Sequence, residues 1–105
     1  MPPTAPLTPA ELDEALAGLP GWSVRDGELT ASYAVERSDL PALYAAVAAV
    51  EDRADHHAAV SILYATVGFA LSTHDAGGAI TAKDTALAAR ISELADRHGA
   101  RPSGT

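Results

Sequence analysis

Residues 59–73 read Ala59-Val60-Ser61-Ile62-Leu63-Tyr64-Ala65-Thr66-Val67-Gly68-Phe69-Ala70-Leu71-Ser72-Thr73, an apolar, β-branched run without a charge. As a single strand it would extend roughly 50 Å at about 3.3 Å per residue. A domain of this size has a radius of gyration of about 13 Å. The run therefore has to fold back as a hairpin, and the expected turn lies near Ala65-Thr66, where the local turn chemistry is poor.

Upstream of this hairpin, Leu40, Leu43, Tyr44, Val47 and Val50 recur at three- and four-residue intervals. They mark one face of a helix reaching about Ala54, with Ser38 as its expected cap, Asp39 in its first turn and Pro41 tolerated there. Earlier still, Leu29, Ala31, Tyr33 and Val35 alternate with polar residues, the period of a strand with one wet face. Asp26-Gly27 is a two-residue hairpin signal joining it to a strand at Trp22–Arg25. Thr8-Pro9-Ala10-Glu11 opens a first helix by a capping box; its stripe is Leu12 and Leu16, and it stops at Gly18. Downstream, Asp75-Ala76-Gly77-Gly78 is a loop. Thr81 to Asp84 repeats the capping-box spacing and opens a last helix with Leu87, Ile91, Leu94 and Ala95 inward, ending near His98-Gly99.

The order is α-β-β-α-β-β-α. It predicts an α+β fold, a four-stranded antiparallel sheet with three helices packed on one face. The other face and the edges remain for a ligand or a partner subunit. Residues 1–7 are expected as a disordered lead-in, 8–98 as a single domain, and 99–105 as a flexible tail.

The 105 residues carry 7 Lys plus Arg against 14 Asp plus Glu, a formal charge of −7, and no cysteine. Disulfides, thiolate chemistry and sulfur-ligated metals are thereby excluded. No basic cluster reverses the acidic balance, so direct nucleic-acid binding is disfavoured. The first twenty residues hold no positive charge, and the longest apolar stretch, from Val60 to Leu71, is too short to span a bilayer. No membrane association is expected, and the reading is a soluble, cytoplasmic protein.

Three of the four histidines are placed where a hairpin would gather them. His56 and His57 sit where the second helix gives way to the third strand, and His74 where the fourth strand opens into the glycine loop. Imidazole titrates near pH 6.5 in isolation, so neighbouring rings can supply both proton donor and acceptor near neutrality. A helix C-terminus before His56 favours imidazolium, as would Asp52 or Asp55 if close. The bland alternative is a set of polar caps. Metal binding is not expected, since adjacent histidines point apart and no His-x-His or His-x-x-x-His pair occurs. Asp84 on its own reads as the acidic partner of a capping box. Gly77-Gly78 reads as backbone turning, with amides that could also hold an oxygen-rich ligand. Trp22 reads as a core anchor, and His98 as a charge at a helix end.

The segment Asp52-Arg53-Ala54-Asp55-His56-His57, followed after sixteen residues by His74-Asp75-Ala76-Gly77-Gly78, Thr81 and Asp84, resembles the pterin-4a-carbinolamine dehydratase family. The likeness extends to Leu19–Trp22, Tyr33, Val35 and Tyr64, and covers about residues 8 to 97. It implies a cofactor-free hydro-lyase that removes water from 4a-hydroxytetrahydropterin, giving quinonoid dihydropterin, in tetrahydrobiopterin recycling. It further implies catalytic roles for His56, His57 and His74, with Asp84 as the supporting acid. Asp55, Asp75, Gly77, Gly78 and Val60 are the expected substrate contacts, and the assembly is a homodimer or homotetramer with the sheet continued between subunits. Ala58 stands where the family usually has proline, and Val60 where several members carry an aromatic. Both changes are expected to loosen the pocket wall. The alternatives are an interaction module on the same fold, as dimerisation cofactor or assembly chaperone, and a pterin-binding protein without turnover.

Overall fold

The computed structural model describes residues 5–103. Its elements are α1 (Pro9–Ala17), β1 (Ser23–Arg25), β2 (Glu28–Ala34), α2 (Leu40–Ala54), β3 (Ala59–Leu63), β4 (Thr66–Leu71), α3 (Ala82–Arg97) and β5 (Arg101–Pro102), with a 3-10 turn at His74–Ala76. The sheet runs β1-β2-β4-β3, antiparallel throughout. The expected α+β architecture and element order are present, with one addition. The sheet has a fifth strand, because Arg101 and Pro102 pair with Ala34 and Tyr33 of β2.

This addition follows from an edge left half covered. β1 pairs only with residues 28–30 of β2, so the rest of that edge would leave its backbone groups unpaired. β5 fills the vacancy, and Ser103 N–H adds a bond to the Ser32 carbonyl at 2.7 Å. The fold thus extends past the expected 8–98 limits at both ends. Ala100 is buried in the core, and Leu7 N–H donates to the Ile80 carbonyl at 2.9 Å. Residues 1–4 of the expected lead-in and 104–105 of the expected tail lie outside the described residues.

Strand alternation divides the sheet into two unlike faces. Leu29, Ala31 and Tyr33 of β2 lie opposite Leu71, Phe69 and Val67 of β4, and all six are buried. Leu43 and Val47 of α2 and Leu87 and Ile91 of α3 close over them in one cluster, with Leu12 and Leu16 of α1 packed at its margin. Trp22 anchors this core as expected. Its ring lies 6.5 Å from those of Tyr33 and Phe69, and its Nε1–H donates to Ser92 Oγ and Tyr33 Oη at 2.9 and 3.0 Å.

Two local expectations shift. The β3–β4 turn falls at Tyr64-Ala65, one residue early, with Tyr64 in the left-handed region at φ 56°. A bulky residue there is unfavourable, and tertiary bonds hold it: Val35 N–H donates to the Ala65 carbonyl at 2.9 Å and Arg37 to that of Tyr64 at 3.4 Å. The cap of α2 is Asp39 rather than Ser38, without a side-chain hydrogen bond.

Candidate functional site

The two adjacent histidines leave α2 through a left-handed turn. Asp55 takes φ 50° and ψ 44°; its N–H reaches the Asp52 carbonyl at 3.3 Å, and His56 N–H reaches that of Glu51 at 3.1 Å. This is a Schellman closure with Asp where glycine is usual. Asp55, an expected substrate contact, is exposed and serves first as the helix end. Beyond it the chain enters β3 with Ala59 opposite Ala70. The ladder with β4 runs from Ala59–Ala70 to Leu63–Thr66, and beyond it Thr73 pairs with Ala79 instead.

Asp84 lies in the first turn of α3 and is wholly buried. Its Oδ1 is 2.6 Å from His56 Nε2. Its Oδ2 accepts from Thr73 Oγ1 at 2.7 Å and from Thr81 N–H at 2.9 Å. Thr81 Oγ1 accepts from Lys83 N–H at 3.2 Å and lies 2.7 Å from Thr73 Oγ1. With Asp84 ionised, only one direction satisfies every proton. Lys83 N–H donates to the Thr81 hydroxyl, that hydroxyl to Thr73, and Thr73 to the carboxylate; His56 donates from Nε2 to the other oxygen. Asp84 therefore forms the expected capping box and also contacts a histidine. One oxygen closes a capping box and the other fixes the tautomer and orientation of an imidazole. Among the described residues, only Nε2 of the His56 ring has a hydrogen-bond partner.

The other two rings are placed differently. His57 and Asp52 form an exposed pair, Nε2 to Oδ1 3.1 Å, with 57% and 77% of their side chains accessible. His74 opens the 3-10 turn and is exposed; it follows Thr73 directly, so its backbone adjoins the buried network. Asp75 is exposed in the same turn. Gly77 and Gly78 have φ 71° and 86°, and their N–H groups donate to the carbonyls of His74 and Thr73, each at 3.0 Å. These amides are thus spent internally, contrary to their expected availability to a ligand. The space over both glycines is open, with nothing within 4 Å of where a Cβ would stand.

A cavity of about 240 Å³ between α2 and α3 touches His56, with Lys83 and Arg90 at its rim and Val50 and Leu87 below. A larger concavity, about 590 Å³, crosses the opposite face of the sheet; Val60, Ser32, Ser61 and Gly68 line it, and no histidine does. The histidine end holds a group able to exchange protons near neutrality, and the lining of the sheet-face concavity has none. Among the described residues, no three His, Asp or Glu groups are placed to share a metal ion.

Comparison with known proteins decides the family. Residues 5–94 match the family described as Pterin 4 alpha carbinolamine dehydratase. The chain belongs to this dehydratase family. It is 46% identical to a Streptomyces coelicolor protein provisionally named pterin-4-alpha-carbinolamine dehydratase, over 93% of this chain and 98% of that one. A protein of the same provisional name from Chloroflexus aurantiacus is 42% identical, over 84% of this chain and 95% of the other. Among solved structures, a Brucella melitensis protein titled transcriptional coactivator/pterin dehydratase superposes with a TM-score of 0.80 at 29% identity. That match covers 86% of this chain and 98% of the other.

Within this dehydratase family chain, two participants escape a reading of the histidines alone. Thr73 gives no spacing signal beyond its place beside His74. Glu51 does give one: it stands four residues after Val47, on the apolar face of α2, and it is 4% exposed. A carboxylate at a core position of an amphipathic helix is a mark of a local task.

Proposed function

We propose that this chain dehydrates a 4a-hydroxytetrahydropterin to the quinonoid dihydropterin by histidine acid–base chemistry, as a step of tetrahydrobiopterin recycling in the cytoplasm. The observation that carries the proposal is the short His56–Asp84 contact at 2.6 Å, at the mouth of a cavity and in a chain of this family. The C4a–O bond breaks as an imidazolium delivers its proton to the departing oxygen, forming water. The lone pair of the neighbouring ring nitrogen forms the C=N bond, and a neutral imidazole takes the proton from that nitrogen. Protons balance, and neither a resident metal nor a cofactor enters these steps.

His56 acts through Nδ1, since Nε2 is committed to Asp84. His57 and His74 are the exposed partners, and Asp84 positions His56 without touching substrate. Asp55, Asp75 and the carbonyls of the Gly77-Gly78 turn provide the polar rim. Val60, the remaining expected contact, lines the sheet-face concavity rather than the cavity at His56, and takes no part in these steps. Decay of 4a-hydroxytetrahydropterin, followed spectroscopically, tests this. The wild type should accelerate it, and His56→Ala and His74→Ala should each lose about 10²–10⁴-fold. A wild-type rate no greater than the spontaneous decay sinks the proposal.

A second reading draws on the Brucella relative, whose title names a coactivator as well as a dehydratase. An interaction role on the same fold is compatible with catalysis, and a His56→Ala variant separates the two by losing turnover while retaining a partner. Tight pterin binding with zero turnover in the wild type would instead indicate a carrier. We further propose a homodimer or homotetramer with the sheet continued through β3.

A further inference from the structure

Glu51 is the residue from which the adjacent histidines hang. Its main-chain carbonyl accepts from His56 N–H at 3.1 Å. Its side-chain Oε2 accepts from Ala58 N–H at 2.6 Å. One residue of α2 thus holds both ends of the three-residue segment His56-His57-Ala58. The second bond is the unusual one. It joins a carboxylate only 4% exposed to a backbone amide at the point where the chain enters β3. A hydrogen bond to an ionised group is shorter and roughly twice as strong as a neutral one. Without it, a half-buried N–H next to the histidine pair would lack its acceptor.

We propose that the Glu51 carboxylate is a positioning residue for the histidine pair, clamping Ala58 so that His56 Nε2 meets Asp84. The inference rests on the dehydratase reading for its kinetic consequence, but not for its structural one. Any loosening from alanine at position 58 is countered on this chain by the carboxylate that takes the alanine's extra N–H. The arrangement is conditional. A proline at 58 has no N–H to satisfy and holds its own φ near −65°, so it removes the need for the acceptor.

The conditional form sets the experiment. Glu51→Gln keeps an acceptor oxygen and should retain kcat within about twofold. Glu51→Ala orphans the amide and should lower kcat about 10- to 100-fold with little change in KM, the scale of a misplaced reacting group. Glu51→Ala with Ala58→Pro should recover most of that loss, whereas a defect confined to stability would shift Tm and leave kcat of the folded fraction unchanged. The His56 Nε2–H resonance gives a readout independent of turnover: it should be protected from exchange in the wild type, lost in Glu51→Ala, and restored in the double variant. Amide exchange on the unaltered protein adds a check that needs no variant to fold, since Ala58 N–H must be protected. A folded Glu51→Ala with wild-type kcat and an intact His56 signal overturns the proposal, as does a freely exchanging Ala58 amide. If the wild type shows no turnover but the signal follows the clamp, the dehydratase reading fails and this inference stands.

Discussion

At Asp84 a single carboxylate with no exposed surface satisfies three donors, from His56, Thr73 and Thr81. A buried carboxylate depends on every one of them, because its desolvation is offset only by charge-assisted hydrogen bonds. Thr73→Val removes one donor at nearly constant shape and should cost about 1–3 kcal/mol, measured by denaturant unfolding. Asp84→Asn preserves volume but can present an N–H toward Nε2, forcing the imidazole to exchange its tautomer. A loss of about 10²–10⁴-fold in kcat is expected, as where an orienting carboxylate is lost from a histidine, with Tm falling by far less than unfolding would require. The need for an acid at 84 was legible from its spacing to Thr81. That its second oxygen would serve His56, 28 residues away, was not, since no local period relates the two.

Among the elements, the helices follow their cap chemistry closely, and the departures occur where tertiary bonds overrule a weak local signal. Both threonine capping boxes form as the sequence indicates. In α1, Glu11 reaches back to Thr8, and these hydrogen bonds, backbone first and side chain second, lower its carboxyl pKa below the ordinary value. A depressed folded-state pKa means stabilisation present above the unfolded value and lost as pH falls through the folded one. The start of α1 should therefore fray on acidification through the carboxylate range, seen as lower amide protection at Glu11 and Leu12 relative to intrinsic exchange at each pH; Glu11→Gln should flatten that dependence. Gly21 illustrates an element decided by a neighbour. Its φ is 87°, and a Cβ there would stand 2.8 Å from Pro102 Cβ. Gly21→Ala should detach β5 and cost about 1–3 kcal/mol, read as lost protection of the Ser103 amide. The tail at 101–103 contains no strand signal; its pairing arises only because β1 is too short to cover β2.

For the whole molecule, the helical layer covers one sheet face, while β3 is an edge that, among the described residues, pairs only with β4. Ile62, Leu63 and Tyr64 at its end are 47%, 68% and 82% exposed. An apolar edge strand is a template for a further strand, in keeping with the proposed homo-oligomer. Ile62→Lys combined with Leu63→Lys should convert the assembly to monomers in light scattering while leaving the helical circular dichroism unchanged; a wild type already monomeric at high concentration refutes the proposal. No helix among the described residues is long and apolar enough to cross a membrane. By itself the sequence determined the order of the three helices and first four strands, the alternation of β2 and the two threonine capping boxes, because each depends on a short-range period or a cap spacing. Only the tertiary structure decided which groups are presented to one another: Asp84 to His56, Glu51 to Ala58, β5 to β2. Such contacts are settled by packing separate segments around a common core, where a buried polar group takes whichever partner the closed fold leaves within reach.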